Sequence, residues 1–194
     1  MLRRTFLWGT PGSILAISLA ISGCTMTGTS DASGHQTDKR HTIDAGVDST
    51  LARLYSSANG SRELVGKARG VLVFPSVIAA GFWIGGQYGE GSLRVVGNTV
   101  GYYSTTTGSI GLQIGAQSKA IIMLFMTQEA LDGFTHSQGW AAGVDATVAV
   151  LRVGANGNVD TSTATSPVEA FVLTNAGLMA GVSLEGSKIS RLML

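Results

Sequence analysis

Three ionisable side chains in the C-terminal half of the sequence belong to the types that catalyse acid–base reactions: His136, Asp145 and Glu185. Asp145 stands in an apolar predicted strand, where burial would raise the pKa of its carboxyl group, as in many catalytic acids. A solvent-facing or backbone-paired Asp145 is the commoner arrangement. No nucleophile elbow, phosphate-binding loop or metal-ligand spacing accompanies these residues. We therefore expect the protein not to be an enzyme, and a hydrolase that uses these residues is the most distant alternative.

The other two histidines, His35 and His41, lie in a stretch rich in Thr, Ser, Gly and Asp. A mobile segment does not hold metal ligands in place, and no cysteine or carboxylate cluster completes a site there. The sequence therefore predicts neither a metal ion nor a cofactor.

The single cysteine, Cys24, follows a short basic head and an apolar stretch at residues 14–21. That stretch is too short to cross the ~30 Å hydrocarbon core of a bilayer, so residues 1–23 are predicted to be a signal peptide. The sequence Ala20-Ile21-Ser22-Gly23-Cys24 resembles the lipobox of bacterial lipoproteins. This resemblance implies cleavage before Cys24 and a lipid anchor on that cysteine, with diacylglycerol and a palmitate-type acyl chain.

The residue after the cysteine bears on the destination of the exported protein. By resemblance to the sorting rules of two-membrane bacteria, Thr25 favours the outer membrane, at its periplasmic or outer face. Arg3-Arg4 also resembles a twin-arginine export motif, although Leu2 replaces the usual Ser or Thr. Export of an unfolded chain and export of a folded chain both stay open, with a slight preference for the former.

Composition places the rest of the chain among folded single domains. The chain has 194 residues, of which 27 are Gly and 13% are charged, so tight turns and packed strands are expected rather than disorder. Arg3 and Arg4 would leave with the signal peptide, after which the 12 acidic residues exceed the basic ones by one. The overall charge therefore gives no indication of nucleic-acid binding.

The region before the predicted sheet is expected to contain a flexible tether and two helices. Residues 24–42 would be the lipidated cysteine and a tether with little to bury. From Ile43 the apolar residues recur at helical spacing as far as Ala58, with Thr42 as the N-cap and Asn59-Gly60 at the end. A short second helix is predicted over residues 61–68, and the domain itself over residues 43–194.

After Gly70 the pattern changes to short apolar runs separated by turn residues. A strand over residues 71–74 is expected to stop at Pro75, and Gly97-Asn98 is expected to form a two-residue hairpin turn. Residues 120–126 are apolar on both faces and predict a central strand, after which Thr127 can cap a helix. Further strands are predicted over residues 82–84, 93–96, 99–103, 110–114, 144–153, 171–174, 178–184 and 189–192. The predicted fold class is α+β, mainly antiparallel β in a sandwich- or barrel-like sheet.

From about Leu64 onward the sequence resembles the SYLF-domain family. The blocks that carry the resemblance are residues 67–75, 80–91, 109–115, 124–127 and 177–186. The resemblance implies a lipid-binding module, with phosphoinositides as ligands of eukaryotic members and other anionic lipids for an exported bacterial protein. Phe171 stands where many members have Tyr, and no SH3 domain accompanies this one, so actin binding is not expected.

Basic residues are concentrated between Lys39 and Arg69, a stretch that contains six basic and three acidic residues. A cationic surface beside an amphipathic helix suits an anionic membrane, although a solvated helix face would show the same pattern. The residues predicted to bind lipid headgroups are Arg53, Arg62, Lys67 and Arg69. The predicted function is that of a membrane-anchored lipoprotein that binds anionic phospholipid headgroups. The alternative is a structural envelope lipoprotein whose β domain binds another protein.

Overall fold

A computed structural model describes residues 32–81, 84–110, 117–153, 156–159, 166–179 and 182–194. In these residues three helices accompany one large sheet. The helices are α1 (Ala32–Ser57), α2 (Ser61–Lys67) and α3 (Gln128–His136). The strands are β1 (Gly70–Gly81), β2 (Ile84–Val95), β3 (Asn98–Ile110), β4 (Gln117–Phe125), β5 (Trp140–Ala141), β6 (Val148–Val150), β7 (Val168–Thr174), β8 (Gly177–Leu178) and β9 (Lys188–Leu192).

The sheet is almost entirely antiparallel, in the order β5-β9-β3-β2-β1-β4-β7-β6, with β8 paired to β7. The pair β6 and β7 is parallel. Ile121 and Met123 on β4 line a small cavity together with Ile189 on β9, although three strands lie between these two in the sheet order. The sheet must therefore curl, which confirms the predicted α+β class with a curved antiparallel sheet.

Alternate side chains of the central strands enter two separate cores. Leu72, Met123 and Val172 belong to the core on the inner side of the curl, which we call the inner face. Their neighbours Val71, Ile122 and Phe171 belong to the core on the opposite side, which we call the helix face. Residues 120–125 are buried throughout, so the prediction of a central strand here is confirmed.

Each face of the sheet is covered by its own helices. On the helix face, Ile43, Val47 and Leu54 of α1 and Leu64 of α2 complete the core. On the inner face, α3 contributes Leu131 and Phe134. The Thr127 hydroxyl accepts a 3.2 Å hydrogen bond from the Ala130 amide, so the predicted N-cap of α3 is confirmed.

The start of α1 differs from the prediction. The helix begins at Ala32 rather than Ile43, so residues 32–42 of the predicted tether are helical. Thr42 is therefore no N-cap, and its hydroxyl instead donates to the carbonyl of Asp38 at 2.9 Å within the helix. Lys39 forms a 2.8 Å ion pair with Glu90 on β2, a contact with the sheet that a sequence pattern does not show. Cys24 and the rest of the tether lie outside the described residues, as do residues 82–83 and 111–114 of the predicted strands.

Two turn predictions were also wrong. Strand β1 continues through Pro75, where the register with both neighbouring strands shifts, so the proline occupies a bulge instead of ending the strand. At the same bulge, a Cβ atom on Gly91 would overlap the carbonyl oxygen of Val73, which explains a glycine inside β2. The β2–β3 turn is formed by Val96-Gly97 rather than Gly97-Asn98, since Val95 pairs with Asn98.

The segments after α3 contain less strand than predicted. Predicted strand 144–153 is reduced to Val148–Val150. Of predicted strand 178–184, Leu178 is in β8 and residues 179 and 182–184 are not in a strand, while residues 180–181 lie outside the described residues. By contrast, β7 and β9 contain the predicted runs 171–174 and 189–192.

Candidate functional site

The carboxylate of Asp44 on α1 accepts three hydrogen bonds from the β2–β3 hairpin. Its Oδ1 accepts hydrogen bonds from the hydroxyls of Ser92 at 3.0 Å and Thr99 at 2.9 Å. Its Oδ2 accepts from the Tyr102 hydroxyl at 2.7 Å. Sequence reasoning missed this residue because its partners lie about fifty positions away, and only its place beside the buried Ile43 could have drawn attention to it.

The hydrogen bonds decide the charge state of Asp44. Burial alone would raise the pKa of this carboxyl group, but the donors Tyr102, Thr99 and Ser92, with the nearby Arg94, hold it below the usual range. Burial and the bond to Asp44 raise the pKa of Tyr102 to about 12. Asp44 is therefore a charged anchor at neutral pH.

Beside this anchor, a groove of about 600 Å³ runs between α1, Arg62 of α2 and Arg94 of β2. We call it the Tyr55 groove. The Arg62 guanidinium carbon lies 4.2 Å from the centre of the Tyr55 ring, within cation–π distance. Arg94 forms an ion pair with Asp48 and also donates to the Asp44 carbonyl at 3.4 Å. The two arginines line the groove together with the apolar side chains of Leu51 and Ala52, and Asp48, which is paired with Arg94, lines it as well.

A second groove, of about 570 Å³, lies between α1 and the paired strands β3 and β9. We call it the Arg40 groove. Arg40 and Arg191 line it, and the Arg40 guanidinium carbon is 5.9 Å from the centre of the Tyr102 ring. Tyr102 lines this groove and its hydroxyl binds Asp44, so the Arg40 groove borders the residue that fixes α1.

The four basic residues predicted to bind headgroups are all exposed, but their surroundings differ. Arg62 lines the Tyr55 groove, whereas Arg53 donates to the Thr174 carbonyl at 3.1 Å. Arg53 and Tyr55 are two positions apart on α1 and so do not share a face, which separates Arg53 from Arg62. Lys67 pairs with Glu63 at 2.7 Å on α2. Arg69 follows α2, and its backbone amide bonds to the Phe125 carbonyl. The structure thus brings Arg62 together with Arg94 and not with Arg53.

The candidate catalytic residues lie apart from these grooves. His136 is exposed at the end of α3, with Nδ1 at 2.8 Å from the carbonyl oxygen of Asp132. Asp145 lies in a turn rather than a strand, is exposed, and accepts a 2.6 Å hydrogen bond from the Ala141 amide. Glu185 is exposed in another turn. His35 and His41 are both exposed on α1, and no group of three metal-ligating side chains occurs among the described residues.

One ionisable residue of the helix face, Glu169 on β7, is fully buried. Neither of its carboxylate oxygens has a hydrogen-bond partner among the described residues. It shares its side of the strand with Phe171 and Leu173. Burial raises the pKa of this carboxyl group. Sequence reasoning did not single it out, although a glutamate inside the apolar run Val168–Leu173 was a visible signal.

The grooves and the curled sheet together define a class: an α+β domain with exposed arginines beside a helix that packs apolar side chains on antiparallel strands. Residues 106–192 match the family model described as Ysc84, Las17-binding protein actin regulator. This match confirms the resemblance to the SYLF-domain family for the second half of the chain. The family comprises lipid-binding and actin-regulating domains, so the match supports a general lipid-binding domain.

A search of curated proteins found no match. Within the described residues, none of the helices has both the length and the apolar character needed to cross a bilayer.

Proposed function

We propose that the protein is a bacterial lipoprotein, anchored through Cys24 to the outer membrane, whose SYLF domain binds anionic phospholipid headgroups. The family match supports the general lipid-binding role, and the arginines beside α1 support the preference for anionic lipid. The proposal includes no enzymatic step and no nucleic-acid or actin partner.

The observation that carries the headgroup assignment is the position of Arg62 in the Tyr55 groove. The guanidinium group is exposed, and no carboxylate lies within ion-pair distance of it among the described residues. The cation–π contact with the Tyr55 ring restrains the group beside the groove and uses none of its N–H groups as hydrogen-bond donors to an acceptor oxygen. A planar guanidinium group binds two phosphate oxygens at once, so a held and unpaired Arg suits a phospholipid headgroup.

The proposed lipid anchor on Cys24 is tested by Cys24→Ala. Without the thiol, neither acylation nor cleavage at that bond can follow, so the precursor should stay uncleaved or reach the wrong compartment. Metabolic labelling with a radioactive fatty acid and fractionation of the two membranes measure both effects. Normal processing and labelling of the variant would contradict the anchor.

Headgroup binding is tested in the full chain carrying Cys24→Ser, which cannot be acylated. In this background the four predicted residues are changed together to Gln at Arg53, Arg62, Lys67 and Arg69, and vesicle binding is measured by co-sedimentation. Each basic residue near a strongly anionic surface adds ~1 kcal/mol, so binding should fall by at least tenfold. Exposed charges contribute little to folding, so the melting temperature should change little.

Single substitutions show how much each basic residue contributes to vesicle binding. Arg62→Gln should weaken binding most, because Lys67 is offset by Glu63 and Arg53 lies on another face of α1. Arg152→Gln removes an exposed arginine elsewhere on the chain and is the matched control. If the quadruple variant stays folded and binds anionic vesicles as tightly as its parent, the basic residues are only a solvated surface. Binding to another envelope protein then becomes the better account.

A further inference from the structure

The turn between β2 and β3 contains an unusual residue. Val96 has a φ angle of 50°, followed by Gly97 at 81°, which is the backbone of a type I′ turn. Glycine and asparagine adopt positive φ readily, whereas a β-branched residue there is strained. The Val96 side chain is 93% exposed, so no packing against the domain offsets this strain.

Two other exposed apolar side chains lie close to this turn. Val100, on β3 just after it, is 48% exposed, and Met193 is 88% exposed. Both line the Arg40 groove. We call Val96, Val100 and Met193 the apolar tip. Val100 and Met193 share one groove, and Val96 lies on the turn that leads into the strand of Val100. Exposed apolar groups along one edge of the hairpin indicate a contact surface rather than the scattered exposure that is normal for soluble proteins.

Arginines lie on both sides of the apolar tip. Arg40 and Arg191 line the Arg40 groove together with Val100 and Met193. On the other side, Arg62, which has no ion-pair partner among the described residues, lines the Tyr55 groove together with Arg94, which stands two residues before Val96 and is paired with Asp48. Apolar side chains flanked by cations match an anionic bilayer, where apolar groups enter the acyl boundary and cations meet phosphates.

The other exposed apolar pair on the α1 side of the sheet lacks this charge. Ile78 and Tyr88 line a groove with Glu90, whose Oε1 accepts hydrogen bonds from Tyr88 at 2.6 Å and Lys39 at 2.8 Å. The Lys39 ammonium group there is paired with the partly buried Glu90 carboxylate, and no arginine is among the described residues that line this groove. Charge therefore favours the apolar tip as the membrane contact.

We infer that the β2–β3 turn inserts Val96 into the headgroup and acyl boundary of an anionic bilayer, with Val100 and Met193 at the surface and the flanking arginines on lipid phosphates. This inference rests on the proposed lipid binding and adds the orientation of the domain on the membrane. In that orientation the Tyr55 groove and the Arg40 groove face the same bilayer.

A single fluorophore tests the insertion directly. The chain has one cysteine, so Cys24→Ser combined with Val96→Cys gives a full chain with one thiol for an environment-sensitive dye. The control carries Val144→Cys, because Val144 is 83% exposed in a turn between β5 and β6. With vesicles that contain phosphatidylglycerol, the dye at position 96 should shift to the blue and be quenched by brominated acyl chains. The dye at position 144 should do neither.

Substitution by asparagine separates affinity from folding. Asparagine suits the positive φ of position 96, so Val96→Asn should keep or raise the melting temperature. It also removes the inserted side chain, and its affinity for anionic vesicles should fall about tenfold, which corresponds to ~1.4 kcal/mol. Val144→Asn should leave the affinity unchanged.

The outcomes distinguish the two proposals. If the labelled chains sediment with anionic vesicles but the dye at position 96 stays in water, headgroup binding stands and the insertion is refuted. Equal responses at positions 96 and 144, or full affinity of a folded Val96→Asn variant, would also refute the insertion. If no labelled or unlabelled chain binds the vesicles, the proposed lipid binding fails and the insertion with it.

Discussion

The two faces of the sheet are built from the same strands but are completed in different ways. On the inner face, Tyr103, Phe125, Phe134 and Trp140 form an aromatic cluster with ring centres 4.8–6.4 Å apart. On the helix face, apolar residues of α1 pack on the sheet, and charged groups lie at the border of that contact. The comparison shows that apolar packing covers the inner face. On the helix face, charged groups hold α1 in place, and arginines stay exposed beside it.

The largest effect is expected on the inner face. Phe134→Ala removes a ring that touches Tyr103, Phe125 and Trp140, and it should lower the free energy of unfolding by about 3–5 kcal/mol. Denaturant unfolding measures this loss. The folded fraction should bind anionic vesicles like its parent, since the ring lies on the side away from α1. Reduced binding by the folded variant would mean that the two faces are not independent.

On the helix face, Asp44→Ala should cost about 2–3 kcal/mol, since it leaves three hydroxyl donors without their charged acceptor. The pKa of Asp44 is lowered in the folded state, so its stabilisation is present above the unfolded pKa of about 3.9 and is lost as pH falls through the folded pKa. Unfolding measured from pH 7 down to pH 2 should show this acid-dependent loss in the wild type. A variant that retains the same acid dependence would show that Asp44 is not its source.

The Glu169 carboxyl group should change the pH dependence of stability in the opposite direction to Asp44, and by a smaller amount. Its pKa is raised by burial, so the unfolded chain releases this proton first, and stability falls as pH rises from about 4.3 through the folded pKa. Glu169→Gln removes this cost and should stabilise the protein at pH 8, by about 1.4 kcal/mol for each unit by which the pKa is raised. Below pH 4 the variant and the wild type should differ little. Lower stability of the variant at pH 8 would show that the carboxylate has a stabilising role.

Local patterns predicted the central sheet and the short helices. The apolar run 120–126 specified β4, and the Thr127 cap specified α3, because burial on both faces and capping act over a few residues. The early start of α1 could not be predicted in this way. Residues 32–42 have little to bury, and the contacts that hold this part of α1, such as Lys39 with Glu90, join positions about fifty residues apart.

The candidate site shows the same division. Composition identified Arg62, but its neighbours in the groove, Tyr55 and Arg94, depend on how α1 crosses the sheet. The hairpin turn is formed by Val96-Gly97, one residue before the predicted Gly97-Asn98, because Val96 adopts a positive φ. A pattern that favours glycine and asparagine in turns could not predict a strained Val96.

The central claim, that the domain binds anionic lipid through exposed arginines, is tested most directly by vesicle binding as a function of salt. The full chain carrying Cys24→Ser is mixed with vesicles of phosphatidylcholine, with or without phosphatidylglycerol, and the bound fraction is measured by sedimentation. Electrostatic attraction acts over a Debye length of ~8 Å at physiological ionic strength and ~3 Å at 1 M salt. We predict tight binding to anionic vesicles that weakens steeply with added salt, and weak binding to neutral vesicles throughout. Equal binding to both kinds of vesicle, or binding that salt does not change, would contradict the account.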